Sequence, residues 1–204
     1  MKRLTFGLAL TGIACLLIHA CRKEEPATHY IPASLKAYAV FQAGSYWIYK
    51  NEVTGNLDSV FIANSPVFNY NHSGGYDYDP IDEECLIRYY GSFIQTTRVY
   101  YDMYTLFFKS YSCRVIEAAS YKPGHVFTLG SESTLTNIAS LDSMTIYNQT
   151  FYNVFITRLQ RIPSQSDTSR FTSYFVKNIG LIKYNQMMDN TDTTWSLLRY
   201  HIVQ

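Results

Sequence analysis

The densest run of ligand atoms in this 204-residue chain is Ser73-Gly74-Gly75-Tyr76-Asp77-Tyr78-Asp79-Pro80-Ile81-Asp82-Glu83-Glu84. Its carboxylates, Asp77, Asp79, Asp82, Glu83 and Glu84, sit next to a Gly-bearing turn and could gather the oxygen ligands that Ca²⁺ prefers. The spacing is not that of an EF-hand loop, and a solvated acidic loop is the simpler reading. Ca²⁺ is therefore the one candidate cofactor, and no other is expected.

Nucleophilic chemistry finds little support. There is no Gly-x-Ser-x-Gly elbow, His-Glu-x-x-His pair, P-loop, dinucleotide-binding glycine fingerprint or Cys-x-x-Cys. His29 falls in a polar segment, His72 in a turn and His201 in a strand-like run. A Cys113–His125 dyad would need the two side chains to meet, and Cys113 has competing buried or disulfide roles. The expectation is a protein that is not an enzyme.

The aromatic residues are the other chemical resource: 19 Tyr, 12 Phe and 2 Trp. Trp47, Tyr76, Tyr78, Tyr100, Tyr104 and Trp195 are candidates for stacking on a glycan or a protein partner, because Tyr and Trp bury a flat apolar body while a polar tip stays wet. The competing reading is that Tyr simply suits a pleated, half-buried surface.

The elements that must carry these residues read as strands. Tyr46-Trp47-Ile48-Tyr49, Ser59 to Ile62, Leu86 to Tyr90, Arg98 to Lys109, Met144 to Tyr147, Phe151 to Leu159, Phe171 to Val176, Leu181 to Tyr184 and Trp195 to Val203 are dense in β-branched and aromatic residues. Turn clusters rich in Gly, Asn, Asp and Pro separate them. No window sustains a helical stripe, although Ser131 to Leu141 is ambiguous. Runs of eleven or twelve residues would reach roughly 35 to 40 Å, natural for a curved sheet or barrel. The expected fold is all-β: a strongly curved antiparallel meander sheet, forming a half-barrel or calycin-like barrel.

Residues 1–20 combine Lys2 and Arg3 with an apolar run ending Leu17-Ile18-His19-Ala20-Cys21, the pattern of a cleaved secretory signal. That ending resembles the lipobox of bacterial lipoproteins, which implies lipidation of Cys21 and attachment to a membrane. Cleavage there would take the formal charge from +1 to −1. So balanced a charge lacks the basic footprint of phosphate-backbone binding, so nucleic acid is not an expected partner. Residues 21–37, with Pro26 and Pro32, read as a lipidated tether, and residues 38–204 as a single β domain. Cys85 and Cys113 could close a disulfide loop of about 27 residues, worth roughly 3 kcal/mol, or pack as two separate buried thiols.

Gly44-Ser45-Tyr46-Trp47-Ile48-Tyr49 with Leu57-Asp58-Ser59-Val60, and Tyr174 to Tyr184 around Ile179-Gly180-Leu181-Ile182-Lys183, resemble the opening and closing hairpins of small Bacteroidota outer-membrane lipoproteins of unknown function. Arg22-Lys23-Glu24-Glu25 resembles the export signal to the outer face of that membrane. Asp58-Ser59-Val60, Asp142-Ser143-Met144 and Asp192-Thr193-Thr194 resemble O-glycosylation acceptors of the same bacteria, which implies Ser59, Ser143 and Thr193 as glycan attachment points. The reading is a lipid-anchored, surface-facing outer-membrane lipoprotein acting as a non-catalytic binding or assembly module. Its alternatives are a carrier of lipid or another hydrophobic ligand on the concave face of the sheet, and an accessory subunit for glycan binding or uptake beside an outer-membrane protein.

Overall fold

The computed structural model describes residues 26–72, 80–91, 94–99, 103–108, 112–117, 126–129, 133–161, 169–188 and 191–203. In chain order these form β1 (Thr28–His29), α1 (Ala33–Ala39), β2 (Tyr46–Asn51), β3 (Leu57–Ile62), β4 (Val67–His72), β5 (Ile81–Tyr90), β6 (Ile94–Val99) and β7 (Met103–Phe108). There follow β8 (Ser112–Glu117), β9 (Val126–Leu129), β10 (Ser133–Ile146), β11 (Gln149–Arg161), β12 (Arg170–Val176), β13 (Gly180–Met188) and β14 (Thr191–His201).

The strands form one sheet with neighbour order β8-β7-β6-β5-β3-β2-β14-β13-β12-β11-β10-β9, and β1 and β4 pair with β5 beside this path. All pairings are antiparallel except β1 with β5. Near the middle, β2 lies against the last strand, β14, and a meander arm runs outward on each side. Ile81 pairs with both β1 and β4, and Cys85 with both β4 and β6, so β5 is flanked along its length by β1 and β6 on one edge and by β4 and β3 on the other.

The sheet is large and mixed, but it is neither closed nor strongly curled. This corrects the expected half-barrel or calycin-like barrel. Part of that expectation rested on a single strand from Arg98 to Lys109. The chain instead divides it into β6 and β7, which pair as neighbours with Thr97 opposite Leu106. A run of β-formers without Gly or Pro hides its own turn. The Ser131–Leu141 stretch contributes to β10, a strand rather than a helix.

The helix supplies the cover that closure would otherwise provide. Ala-Ser-Leu-Lys-Ala-Tyr-Ala holds strong helix formers and no β-branched residue, and α1 starts after Pro32 and stops at Val40-Phe41. Leu35, Tyr38 and Ala39, spaced for one helical face, are buried against the sheet. Around them lie Trp47, Tyr49, Val60, Ile62, Cys85, Ile87, Phe155, Phe175, Ile182 and Leu197, each from the inward-facing set of its strand. Full burial of a side chain such as Leu35 contributes roughly 1.5–3 kcal/mol. Seven residues are too few to register as a periodic stripe in sequence, and so the helix was not anticipated.

The segment read as a tether up to residue 37 belongs to the domain from Pro26 onward. Thr28 and His29 pair with Ile81 and Asp82, Ile31 is buried, and the Asn178 N–H donates to the Ala37 carbonyl at 2.6 Å.

Candidate functional site

Four aromatic rings stand in register across four neighbouring strands. His201 of β14 lies opposite Tyr46 of β2, Tyr46 opposite Phe61 of β3, and Phe61 opposite Tyr90 of β5. Directly opposed positions bring side chains into contact: the Phe61 and Tyr90 rings stack at 5.4 Å with a 20° interplanar angle, and Tyr46 and His201 at 5.7 Å with 29°. Tyr46, Phe61 and Tyr90 are 37%, 44% and 43% exposed, and His201 is exposed as well. At a strand spacing of about 4.8 Å the row extends roughly 15 Å across the outer face of the sheet.

A bulge in β14 completes the row. The pairing with β2 steps from Leu197–Tyr49 to Arg199–Ile48, leaving Leu198 as the extra residue. One inserted residue reverses the parity of everything after it. Leu197 therefore points into the core, whereas Arg199 and His201 share the outer face with Ile48 and Tyr46. Beside the aromatic row, Ile48, Leu57, Asp58, Ser59, Leu198 and Arg199 line an open groove of about 430 Å³. Asn64 adds a donor at the far end, its Nδ2 reaching the Tyr90 hydroxyl at 3.3 Å. A flat aromatic strip with a polar margin can stack on the C–H face of a ring while hydrogen-bonding its rim.

Of the stacking residues expected from sequence, Trp47 is buried and Trp195 half-buried. Trp47 cannot serve as a platform. Its Nε1–H donates to the Ile179 carbonyl at 2.6 Å, and two residues on the Tyr49 hydroxyl donates to the Leu181 carbonyl at 2.8 Å. The β13–β14 ladder covers only Lys183–Met188, and these two aromatic side chains satisfy the carbonyls of Ile179, just before β13, and Leu181, near its start. Tyr76, Tyr78 and Tyr100 lie outside the described residues, as does the side chain of Tyr104. Within the Gly-x-x-Trp-x-Tyr strand the exposed ring is the neighbour, Tyr46, on the opposite parity.

The acidic run is used for structure where it is described. Asp82, Glu83 and Glu84 are consecutive in β5, so the pleat sends Glu83 inward and the other two outward, and three carboxylates split between two faces cannot converge on one cation. Glu83, 4% exposed, accepts hydrogen bonds from the Ile31 N–H at 2.7 Å, from Lys36 Nζ, which lies 3.0 Å from its nearer oxygen, and from the Tyr70 hydroxyl at 3.4 Å. Asp82 meets His29 Nδ1 at 2.8 Å. Both carboxylates fasten the segment before β2 to β5. Asp77 and Asp79 lie outside the described residues, and among the described residues no group of three or more His, Cys, Asp or Glu could hold a metal ion.

Cys85 is a free, buried thiol. Cys113 lies on β8, three strands away in the same ladder, so the backbone separation is about 14 Å at normal strand spacing, against the limit of about 7 Å between bonded cysteine Cα atoms. Of the two readings offered for these cysteines, the free Cys85 agrees with separate thiols rather than a Cys85–Cys113 bond. Burial pushes the Cys85 thiol up to about 12, with Lys36 pulling against it and Glu83 and Glu84 adding to it. His125 lies outside the described residues.

Between α1 and the sheet, the space bounded by Tyr38, Phe41, Trp47, Tyr89 and Phe175 amounts to about 20 Å³, enough for about one water. Beside it Tyr38 and Phe155, with Leu141, Asp142, Asn153 and Lys177, line a second, open space of about 400 Å³. Ser59 and Ser143 are exposed on β3 and β10, whereas Thr193 is half-buried on β14.

No family model matches the chain, and neither does any curated protein. Among solved structures it is similar to a protein of Bacteroides fragilis NCTC 9343, inferred to be exported and described as having a YmcC-like fold. The TM-score is 0.48 at 8% identity, covering 80% of this chain and 98% of that one. It is also similar to a protein of Parabacteroides distasonis ATCC 8503, inferred to be a lipoprotein, with a TM-score of 0.46 at 12% identity over the same shares of the two chains.

Proposed function

We propose that this protein is a lipid-anchored lipoprotein of the outer membrane, facing the cell surface, which binds a glycan chain without catalysis. The observation that carries this reading is the exposed row His201–Tyr46–Phe61–Tyr90. Solvent-exposed aromatic rings aligned over four strands are costly to leave wet unless something covers them. Their spacing suits successive sugar rings laid across the strands, with Arg199, Ser59 and Asn64 at the margin for hydroxyl groups. Attachment through Cys21 rests on the lipobox, and the near-neutral charge of the chain fits a neutral ligand.

Calorimetric titration with soluble neutral α- and β-linked hexose polysaccharides tests the binding. Saturable binding that Phe61→Ala or Tyr90→Ala weakens by about tenfold is expected, since a stacked pair is worth roughly 0.5–1.5 kcal/mol beyond its area. Absence of binding across that set, or binding indifferent to both substitutions, refutes the glycan reading. Radiolabelled palmitate incorporation lost in Cys21→Ser, with protease accessibility on intact cells, tests the anchor and its orientation separately.

A further inference from the structure

The open space where the β10–β11 hairpin passes α1 has the makings of a small-molecule site. Its volume of about 400 Å³ falls within the roughly 300–1,000 Å³ usual for such sites. The floor is aromatic: Tyr38 of α1 and Phe155 of β11 are 6% and 3% exposed, and their rings stand 6.4 Å apart. Successive residues of a flat strand face opposite ways, yet Ser140, Leu141 and Asp142 all line this space. At the same level of the hairpin Asn153, between the Leu141–Val154 and Ser143–Tyr152 pairs, takes a φ of 53°. That left-handed backbone interrupts the pleat, so side chains of both parities reach one concavity.

The rim carries one charge of each sign. Lys177, just past β12, holds its Nζ 5.8 Å from the centre of the Tyr38 ring, and the next residue, Asn178, is tied to α1 by its N–H bond to the Ala37 carbonyl. Asp142 belongs to β10, on the far side of β11. Both side chains are exposed, and among the described residues neither is ion-paired. Two strand spacings separate β10 from β12, so the two backbones stand about 10 Å apart.

Opposite charges kept apart over an aromatic floor match a ligand that carries both. We infer that this pocket binds a short zwitterionic peptide of dipeptide size, its ammonium group at Asp142, its carboxylate at Lys177 and an apolar side chain on Phe155 and Tyr38. Two residues extend to about 7 Å, which fits between charges anchored on those backbones. Ser140 and Asn153 remain to hydrogen-bond the peptide group. A ligand with a single charge would leave Asp142 or Lys177 without a counterpart. The site uses none of the exposed aromatic row and does not depend on the glycan reading.

The test is calorimetric titration of the full chain with L-alanyl-L-phenylalanine, with its N-acetyl form and with its carboxamide. The free dipeptide should bind saturably, and each blocked form about fivefold more weakly, the size of one partly exposed ion pair. Asp142→Asn should abolish the penalty for acetylation and leave that for the carboxamide, while Lys177→Gln should do the reverse. Both positions are exposed, and unchanged circular dichroism melts check that the fold is intact. Phe61→Ala, which tests the glycan row, should leave dipeptide affinity unchanged, so the two readings fail separately. The inference is overturned by absence of saturable binding up to millimolar dipeptide, by blocked forms that bind as well as the free one, or by penalties that do not follow the matching residue.

Discussion

Replacing Glu83 by Ala removes the side chain that holds α1 and the segment before it against β5. With Glu83 gone, the Ile31 N–H loses an ionised acceptor at 2.7 Å in a buried setting, and a hydrogen bond to a charged group is worth about 1.5–3 kcal/mol. Lys36 loses its counter-charge, but its side chain is 34% exposed and can turn to water, which limits that loss to about 1 kcal/mol or less. The Tyr70 contact, at 3.4 Å and on an exposed ring, adds little. Together these give about 3 kcal/mol. For a domain of this size each kcal/mol lowers Tm by roughly 2–4 °C, so the fall should be about 9 °C. Circular dichroism melts and urea titrations measure the loss, and hydrogen exchange at Ile31 locates it. His29→Ala is the control: its Asp82 partner is 2.8 Å away, but the pair is partly exposed and worth at most about 0.5 kcal/mol. A Glu83→Ala variant that loses less than about 1 kcal/mol, or whose Ile31 amide exchanges as in the parent, refutes the assignment of Glu83 as the fastening residue.

Three further outcomes follow from the geometry. With its thiol pushed up to about 12 by burial, Cys85 should resist iodoacetamide at pH 8 in the folded chain and react promptly in urea; fast labelling of the folded protein would contradict the buried placement. A methyl group on Gly91 would sit 2.8 Å from the Ser59 carbonyl oxygen and 3.0 Å from Val60 Cγ2, so Gly91→Ala should cost about 1–3 kcal/mol in urea unfolding and weaken glycan binding by prising β5 from β3 beneath the Phe61–Tyr90 stack. At Glu52 burial pushes the carboxyl up, yet hydrogen bonds from Ser196 and Lys183 and the Lys183 charge outweigh it and leave it below its ordinary value. A depressed carboxyl stabilises above its unfolded range near 4.3 and ceases to do so as pH falls through the folded value. The advantage of the parent over Glu52→Gln should therefore be seen at pH 7, stay below about 1 kcal/mol on so exposed a side chain, and shrink as acid titrates the carboxyl.

Strand content was legible from the amino-acid sequence because β-branched and aromatic density is a local property. Tyr46 to Tyr49, Ser59 to Ile62, Phe171 to Val176 and Leu181 to Tyr184 all lie within strands of the sheet. The signal expected in residues 1–21 is a reading of linear sequence alone, and those residues lie outside the described ones. Less legible was α1, whose seven residues are helical largely because Leu35, Tyr38 and Ala39 find a sheet to cover. A helix that short is marginal without tertiary packing.

What only the tertiary structure decided is which aromatic residues face the solvent and which stand together. Strand composition does not state parity, so Trp47 could be taken for a binding residue although it is sealed inside, while Tyr46 beside it forms part of the platform. Parity itself can change within a strand: the extra Leu198 turns His201 outward, where unbroken alternation would have set it on the same side as Leu197. Register brings together rings from positions 46, 61, 90 and 201, and register is the outcome of long-range pairing that no local window contains. The sequence by itself determined the materials of this protein, a chain dense in strand-forming residues; the pairing of distant strands determined which of them meet on its surface.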